Sequence, residues 1–312
     1  MTKSSAEVSA GQARPGILLA SKAADDLLQG LKQRFIVHDE IGPAAPTIRA
    51  IVGTGGSVIP ASMINALPAL ELIALSGVGY DGVDVAAARA RGVKIALTLD
   101  VLTDDVADLA IGLMLAVYRR IALYDRTMRE GGWRVPLARR LSGRKIGIYG
   151  MGRIGQAIAR RAEPFAGEIL YTGRAAKPDL PWRFAPDLGA LAEACDVLVV
   201  AAPSTPATHN AVSAEILRKL GRDGVLINIA RGALVDEPAL IEALRSGVIS
   251  GAGLDVFVNE PLGESPLKQM DQVVLAPHQG SATVETRGEM AALVLANLDA
   301  HFSGRPLLTP LI

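Results

Sequence analysis

Short apolar runs rich in β-branched residues alternate with Ala- and Leu-rich stretches of helical periodicity along nearly the whole chain. Many runs are continuously apolar, as in DVLVV at 196–200, which is typical of strands covered on both faces of a parallel sheet. Repeated βα units of this kind predict an α/β fold. The predicted strands are 16–19, 50–52, 72–75, 93–95, 145–149, 168–172, 196–200, 224–228, 251–255 and 273–276.

The βα units fall into two sets, which predict two Rossmann-like or flavodoxin-like domains with parallel sheets. A long helical pattern from residue 104 to about 129, ended by Gly131-Gly132, lies between the sets and belongs to neither sheet. The last helical stretch, 283–302, is long enough to return to the first set. We therefore predict a discontinuous first domain, 1–99 with 283–312, and an inserted second domain, 100–282. The other predicted helices are 23–34, 61–67, 85–91, 153–165 and 238–245.

Composition excludes several functional classes for this protein. The 312 residues suffice for two domains, and 50% hydrophobic with 21% charged residues can form a sizeable core. The 32 Lys and Arg residues balance 32 Asp and Glu residues, so the basic excess usual in nucleic-acid-binding proteins is missing. The single cysteine, Cys195, excludes an intramolecular disulfide and a cysteine-based metal cluster, and it indicates a reducing compartment.

Targeting and membrane segments are not visible either. The first apolar run, 17–20, is too short for a signal-peptide core, and the longest, 109–118, is about half as long as a bilayer span. We therefore expect a cytoplasmic protein that has no membrane or nucleic-acid partner and no metal site. The polar start of the chain predicts about 14 disordered residues there.

The glycine pattern GxGxxG occurs twice, and either match alone is weak evidence. The match at 150–155 follows a predicted strand, opens a helix and is followed by another strand, as in the βαβ unit that binds a dinucleotide. A glycine-rich turn that serves only packing is the alternative, and the context favours the nucleotide. The match at 77–82 opens a shorter helix. There the amides of Gly77, Val78 and Gly79 are predicted to bind a small carboxylate, with a plain turn as the alternative.

The end of the strand EILYT indicates which dinucleotide binds. An NAD site places Asp or Glu about 20 residues after the glycine pattern, where it binds the ribose 2′-hydroxyl. Here Thr172, Gly173 and Arg174 occupy that region, and no carboxylate follows within the next four residues. Arg174, with the Thr172 hydroxyl and with Lys177 nearby, is predicted to bind a 2′-phosphate instead. The sequence favours NADP over NAD, and an arginine exposed in a loop is the alternative.

Three predicted strand ends of the second domain carry groups suited to acid–base chemistry on an anion. Arg231, Glu260 and His278 each follow a different predicted strand. The carboxyl ends of parallel strands meet at one sheet edge, where α/β proteins bind ligands. An arginine can hold a carboxylate, and a glutamate beside a histidine fixes its tautomer and stabilises its protonated form. Each residue alone could be a surface or capping residue, but with a nucleotide pattern they predict a hydride-transfer site. The other histidines are predicted to be surface or loop residues: His38, His301 and His209.

Several longer motifs, in this order along the chain, resemble those of the D-isomer-specific 2-hydroxyacid dehydrogenases. They are SGVGYDGVD, VLTDDVADLAIGLMLA, GRKIGIYGMGRIGQAIARR, LINIARGALVDEPAL, GLDVFVNEP and APHQGSA. Within that family the chain is most similar to the glyoxylate/hydroxypyruvate reductases, on VLTDDVADLAIGL, YTGR and PHQGSATVETR. The resemblance implies that the inserted domain binds NAD(P) and that the discontinuous domain binds substrate.

The roles of family residues, transferred to the matching positions, imply a catalytic trio. His278 protonates the oxygen of the 2-keto group as hydride arrives at its carbon, and Glu260 keeps His278 protonated and oriented. Arg231 binds the substrate carboxylate and polarises the carbonyl, while the amides at 77–79 hold the carboxylate's other side. Asp255 receives the nicotinamide carboxamide. The implied cofactor site comprises Thr103, Gly150, Met151, Gly152, Arg153, Ile154, Gly155, Thr172, Gly173, Arg174, Ala202, Pro203, Ile229, Ala230, Asp255 and Gly280.

The resemblance implies reduction of glyoxylate or hydroxypyruvate to the D-2-hydroxy acid. NADPH is the expected cofactor, and NAD is possible. The resemblance also implies a homodimer held by a helical arm at about 104–135. The alternatives are a related dehydrogenase that takes a bulkier 2-keto acid or prefers NAD, or a nucleotide-sensing corepressor without catalysis. Two segments depart from the family pattern. Leu97-Thr98-Leu99-Asp100 replaces an Asn-x-Pro sequence, and Gly53–Gly56 replaces an asparagine-bearing loop. We expect them to affect the pocket edge or hinge, and substrate selection.

Overall fold

The computed structural model describes residues 14–312, and the predicted N-terminal disorder falls outside them. The described chain forms two compact units, one of residues up to Leu99 with Arg287–Ile312, the other of Asp100–Thr286. Each unit contains a parallel sheet flanked by helices, which confirms the predicted α/β class. No helix in the described part of the chain is long and apolar enough to cross a membrane.

The first unit is built on a five-stranded sheet. Its elements are β1 (Gly16–Leu19), α1 (Asp25–Arg34), β2 (Ile36–His38), β3 (Ile48–Thr54), α2 (Ala61–Asn65), β4 (Leu72–Ser76), α3 (Val85–Ala90), β5 (Lys94–Ala96) and most of α10 (Val284–Phe302). The strand order is β2-β1-β3-β4-β5, and all pairs are parallel. An antiparallel bridge from Ala96 to Pro310 brings the C-terminal segment beside β5.

Successive residues of the first-unit strands enter two apolar clusters, one on each face of the sheet. In β3, Ala50 and Val52 pack with α1 and α10, whereas Ile51 packs with α2 and α3. A strand with both faces covered by helices has no position that favours a polar side chain, which accounts for the continuously apolar runs.

The second unit is built on a seven-stranded sheet. Its elements are α4 (Thr103–Tyr118), α5 (Ile121–Arg129), β6 (Arg144–Tyr149), α6 (Arg153–Ala162), β7 (Ala166–Thr172), β8 (Arg183–Phe184), α7 (Leu188–Ala194), β9 (Val197–Val200), α8 (Ala214–Leu220), β10 (Val225–Asn228), α9 (Glu237–Arg245), β11 (Gly251–Leu254) and β12 (Val273–Leu275). The order is β12-β11-β10-β9-β6-β7-β8, again parallel. The chain reaches β8 and then returns to the other side of β6 at β9, so the connections reverse direction at β6. Ligands of open α/β sheets bind at such a switch point.

Helices cover both faces of the second sheet. One face packs against α7, α8 and α9 in a single apolar cluster. On the other face α4 lies close to β11, because that strand presents Gly251 and Gly253 to the helix. A Cβ at these positions would lie 2.9 Å from Val117 and 3.0 Å from Leu113. The small residues of β11 therefore set how closely α4 packs.

The single long helix predicted from 104 to about 129 is wrong, because the structure has two helices there. Between α4 and α5, Arg120 adopts a left-handed conformation with φ 53°. The carbonyl of Tyr118, which would continue the helical bonding pattern, instead accepts a hydrogen bond from the Arg139 N–H at 2.9 Å. Neither glycine nor proline marks the break, and the partner of the Tyr118 carbonyl lies far along the chain at Arg139.

Three smaller differences from the sequence predictions also appear. The edge strands β2 and β8 were not predicted, because runs of three and two residues show no periodicity. His301 is not a surface residue: its side chain is only 10% exposed, and Nε2 lies 2.9 Å from Oε2 of Glu71. The Nε2 atom of His38 is buried as well.

Candidate active site

The predicted cofactor and catalytic residues of the second unit, except Thr103, follow the carboxyl ends of its strands. Because the strands are parallel, these loops open along one edge of the sheet. The glycine loop follows β6, Thr172 ends β7, and the loops after β9, β10, β11 and β12 begin the segments that carry Ala202, Arg231, Asp255 with Glu260, and His278.

The glycine loop has the geometry of a pyrophosphate cradle. Gly150 has φ 102°, and a Cβ there would collide with the backbone at Ala202. A Cβ at Gly155 would collide with the carbonyl oxygen of Gly150, so the turn can close only with glycine. Gly152 precedes α6, has open space where a Cβ would stand, and leaves the first turn of α6 without a side-chain cap. Open space beside uncapped helix amides suits an anionic phosphate.

Arg153 and Ile154 begin α6 directly after this loop. The Arg153 guanidinium forms an ion pair with Asp100 at 2.7 Å, and both side chains are more than 60% exposed. Thr103, at the start of α4, donates its N–H to the Asp100 carbonyl at 3.2 Å. An exposed pair contributes at most about 1 kcal/mol, so Asp100 does not prevent Arg153 from binding a phosphate.

The loops after β9 and β10 hold four more predicted cofactor residues. Ala202 contacts the glycine loop, and the Pro203 carbonyl accepts a hydrogen bond from the Thr208 hydroxyl at 2.8 Å. Ile229 and Ala230 follow β10. The structure therefore places these residues on the same edge as the glycine loop.

The end of β7 carries two cations and no carboxylate. Within the described residues, Arg174 makes no hydrogen bond or ion pair, and Gly173 beside it has open space. The Lys177 ammonium donates to the carbonyl of Met151 at 2.7 Å, which places it at the glycine loop. The predicted contribution of Thr172 needs correction. Its buried hydroxyl donates to the Ala185 carbonyl at 2.9 Å and has no proton left for a phosphate.

Glu260 and His278 form a direct pair. Nδ1 of His278 lies 2.7 Å from Oε2 of Glu260, and the side chains are 44% and 35% exposed. The other Glu260 oxygen accepts the N–H of Phe257 at 3.0 Å. Burial favours the neutral carboxyl, but the bonds to His278 and Phe257 and the charges of His278 and Arg231 outweigh it and lower the pKa of Glu260. Glu260 is therefore ionised at neutral pH, and a negative charge faces the imidazole.

Asp255 holds the loop that carries this histidine. Its carboxylate accepts the N–H groups of Gln279 at 2.6 Å and Gly280 at 2.9 Å, and its carbonyl accepts that of His278 at 2.8 Å. His278 itself has φ 56°, a conformation that needs such support. Burial raises the pKa of Asp255, against the effect of these amides. The structure thus gives Asp255 a positioning role, and its predicted contact with nicotinamide stays a prediction.

Sequence reasoning missed Asn228, the last residue of β10, which shapes the turn that carries Arg231. This buried side chain donates to the Arg231 carbonyl at 2.9 Å and accepts the Ala230 N–H at 3.1 Å. The turn also packs closely against the loop of Glu260, because a Cβ at Gly232 would collide with the backbone of Phe257. A polar residue that ends the apolar run VLIN was the available signal.

The first unit holds the predicted carboxylate loop, with one correction. The N–H of Gly77 was predicted to face an anion, but it donates to the buried hydroxyl of Thr98 at 2.7 Å. Thr98 in turn donates its N–H to the Gly77 carbonyl at 3.0 Å. Gly77 has φ 152°, which favours glycine. Only Val78 and Gly79 keep amides available, and their role stays a prediction.

Comparison with known proteins identifies the family of the chain. Residues 111–280 match the family model described as D-isomer specific 2-hydroxyacid dehydrogenase, NAD binding domain. A hydroxyphenylpyruvate reductase of Plectranthus scutellarioides is 46% identical over 309 residues, 95% of this chain and 99% of that protein. Glyoxylate/hydroxypyruvate reductase A of Arabidopsis thaliana is 48% identical over 269 residues, 85% of this chain and 86% of that protein.

A solved structure is similar throughout the chain. The NADPH-dependent glyoxylate/hydroxypyruvate reductase of Sinorhizobium meliloti, crystallised with NADP and malonate, has a TM-score of 0.92 and 42% identity, and the match covers 96% of this chain and 97% of that one. The sequence relatives and the solved structure therefore identify the same family. They show that this chain is an oxidoreductase that belongs to the D-isomer-specific 2-hydroxyacid dehydrogenase family.

Proposed function

We propose that the protein reduces a small 2-keto acid, glyoxylate or hydroxypyruvate, to the D-2-hydroxy acid with NADPH. The observation that carries this proposal is the 2.7 Å contact between Nδ1 of His278 and Glu260. Because that contact occupies Nδ1, the imidazole keeps Nε2 for proton exchange with a substrate.

Each residue of the trio has a separate task. NADPH, when bound, supplies the hydride. Nε2 of His278 donates a proton to the carbonyl oxygen of the substrate, so that oxygen becomes the hydroxyl of the product. The ionised Glu260 stabilises the protonated imidazole before that transfer and fixes its tautomer. Arg231 binds the substrate carboxylate, and the amides of Val78 and Gly79 are further candidates for it.

The charges after β7 support NADPH over NADH. An acid that would bind a ribose 2′-hydroxyl is missing from the Thr172–Arg174 segment. Lys177 provides positive charge at the glycine loop, and Arg174 follows the end of β7, so the two cations can compensate a 2′-phosphate there. The Sinorhizobium meliloti relative is named as NADPH-dependent, which agrees with this preference. NAD remains the second candidate.

A bulkier 2-keto acid is the second candidate substrate. Gly56, in the loop that departs from the family pattern, has nothing within 4 Å of where a Cβ would stand. A relative at 46% identity is named a hydroxyphenylpyruvate reductase. Both observations favour testing an aromatic substrate beside the small ones.

The test is oxidation of NADPH and NADH with glyoxylate, hydroxypyruvate, pyruvate and 4-hydroxyphenylpyruvate. We expect NADPH with glyoxylate or hydroxypyruvate to give the highest kcat/KM. His278→Gln should lower kcat by roughly 10²–10⁴-fold and leave NADPH binding, measured by fluorescence, unchanged. His301→Gln, a histidine in the first unit, is the control and should keep wild-type kcat. Unchanged turnover of His278→Gln would contradict the acid assignment, and faster reduction of the aromatic acid would favour the second substrate.

We also propose that the chain forms a homodimer through the segment at 121–137. Five large apolar side chains are exposed in that segment: Ile121, Met128, Trp133, Val135 and Leu137. Exposed apolar groups gathered in one segment mark a surface that another protein covers. The cytoplasmic location expected from the sequence also remains a proposal.

A further inference from the structure

The loop after β7 contains a lysine, Lys177, that three hydrogen bonds hold in place. Lys177 Nζ donates to the carbonyl of Met151 at 2.7 Å, inside the glycine loop. The same loop is hydrogen-bonded to the end of β7, because the Gly150 N–H donates to the Thr172 carbonyl at 2.9 Å. The ammonium therefore lies where the phosphate loop and the strand that selects the ribose meet.

A buried tyrosine fixes the backbone of that lysine. The Tyr171 hydroxyl accepts the Lys177 N–H at 2.7 Å and donates to the Lys177 carbonyl at 3.3 Å. Tyr171 is 1% exposed, and its ring packs edge-on against Phe184 with centroids 5.4 Å apart. The phenol thus has little freedom of its own and holds both polar groups of the Lys177 backbone.

The charge at this point has no carboxylate to neutralise it. Among the described side chains, neither Lys177 nor Arg174 forms an ion pair. An ammonium has three donors, and the Met151 carbonyl occupies one of them. Two donors remain for the oxygens of a phosphate monoester.

We propose that Tyr171 is a positioning residue for cofactor selectivity, whose hydroxyl holds Lys177 at the glycine loop to bind the 2′-phosphate of NADP. This inference rests on the NADPH preference proposed above. Tyr171 acts only through Lys177, so it affects ligands that carry the 2′-phosphate and not those that lack it.

Binding of two fragments by the full-length protein tests this without turnover. Calorimetry measures Kd for 2′,5′-ADP, which carries the 2′-phosphate, and for 5′-AMP, which lacks it. Tyr171→Phe should weaken 2′,5′-ADP about 3–10-fold, the value of one or two net hydrogen bonds, and change 5′-AMP less than twofold. Lys177→Gln should weaken 2′,5′-ADP roughly tenfold or more, because a charged donor is lost.

The double variant separates positioning from general damage. In a Lys177→Gln background, Tyr171→Phe should cause no further loss of 2′,5′-ADP affinity, because the group it positions is gone. Tyr118→Phe is the matched control. Its buried hydroxyl lies 3.5 Å from the Asp196 carbonyl, at the amino end of β9, and its removal should change neither Kd.

Four results would overturn the inference. Equal weakening of both fragments by Tyr171→Phe would indicate a structural role. A full further loss in the Lys177→Gln background would show that Tyr171 acts by another route. If the wild type binds 2′,5′-ADP no better than 5′-AMP, the NADP preference itself is wrong and the inference falls with it. A wild-type preference that Tyr171→Phe leaves intact removes the inference alone.

Discussion

Thr98 shows how one hydroxyl shapes a backbone at residue scale. It lies in the Leu97–Asp100 segment that departs from the family pattern, and it is fully buried. Its two hydrogen bonds with Gly77 fix the start of the loop that carries the Val78 and Gly79 amides. The Leu97–Asp100 segment therefore departs from the family pattern and still anchors the loop that begins at Gly77.

Thr98→Val keeps the shape of the side chain and removes its hydroxyl. The Gly77 N–H then stays buried without a partner, which should lower the free energy of unfolding by about 1–3 kcal/mol. We also expect KM for the 2-keto acid to rise while the Kd of NADPH stays constant, because only the carboxylate loop is loosened. Steady-state kinetics and urea unfolding measure the two effects. Thr98→Ser retains the hydroxyl and should resemble the wild type, and an unchanged KM in Thr98→Val would contradict a role of this loop in substrate binding.

Residue types at strand ends were predictable from the sequence, whereas their partners were not. Glu260 and His278 follow different predicted strands, and a parallel sheet brings such ends to one edge; their 2.7 Å contact lies there. The bonds that occupy the Thr172 hydroxyl and the Gly77 N–H join residues 13 and 21 positions apart. Local sequence does not show that a distant acceptor will occupy a donor that was expected to bind a ligand.

At the scale of elements, the helical arm differs most from its prediction. The Tyr118 carbonyl is taken by Arg139, α4 stops, and Arg120 turns the chain into the short helix α5. In the segment that follows, Trp133 is 81% exposed and Leu137 is 94% exposed. The break is thus followed by an exposed apolar segment, and neither glycine nor proline marks its position.

Leu137→Asp tests whether another copy of the chain covers this segment. In an isolated chain Leu137 is almost fully exposed, so the substitution should not affect folding. In a dimer it would bury a charge and shift the protein to monomers. Light scattering should give twice the 32.6 kDa chain mass for the wild type and the chain mass for the variant. Leu308→Asp, another exposed leucine outside the segment, should remain dimeric; a monomeric wild type would refute the homodimer.

Strands were easier to predict than helix ends. Two-sided burial leaves a continuous apolar signature, and the predicted 16–19 matches β1 residue for residue. Helix ends depend on which carbonyls find partners elsewhere, as at Tyr118. Such long-range bonds lie beyond any window of local sequence.

At the scale of the whole molecule, both ends of the described chain contribute to one unit. Glu71, just before β4, links them: Arg49 binds its carboxylate through two bonds of 2.7 and 3.0 Å, and His301 of α10 contacts Oε2 at 2.9 Å. The hydrogen bond from Arg49, against the effect of burial and with help from His301, lowers the pKa of Glu71.

This shift predicts a loss of stability in acid. A carboxyl whose pKa is lower in the folded state stabilises the fold above its ordinary value of 4.5, and the stabilisation disappears as pH falls through the folded pKa. Urea unfolding between pH 7 and pH 3 should therefore show a shallower pH dependence in Glu71→Gln, with lower stability at pH 7. The effect should be modest, because the side chain is 39% exposed. Glu40→Gln, an exposed carboxylate in the same unit, is the control, and equal slopes for Glu71→Gln and the wild type would contradict the prediction.

The order of the segments has a consequence for how the protein is made. The first unit needs α10 and the bridge from Ala96 to Pro310, both supplied by the last residues described. During translation, every residue of the unit Asp100–Thr286 leaves the ribosome before the first unit has its final helix. The nascent chain can thus complete its nucleotide-binding unit while one face of the sheet β1–β5 still lacks α10. That exposed apolar face is the part of the nascent protein that depends most on prompt release from the ribosome or on a chaperone.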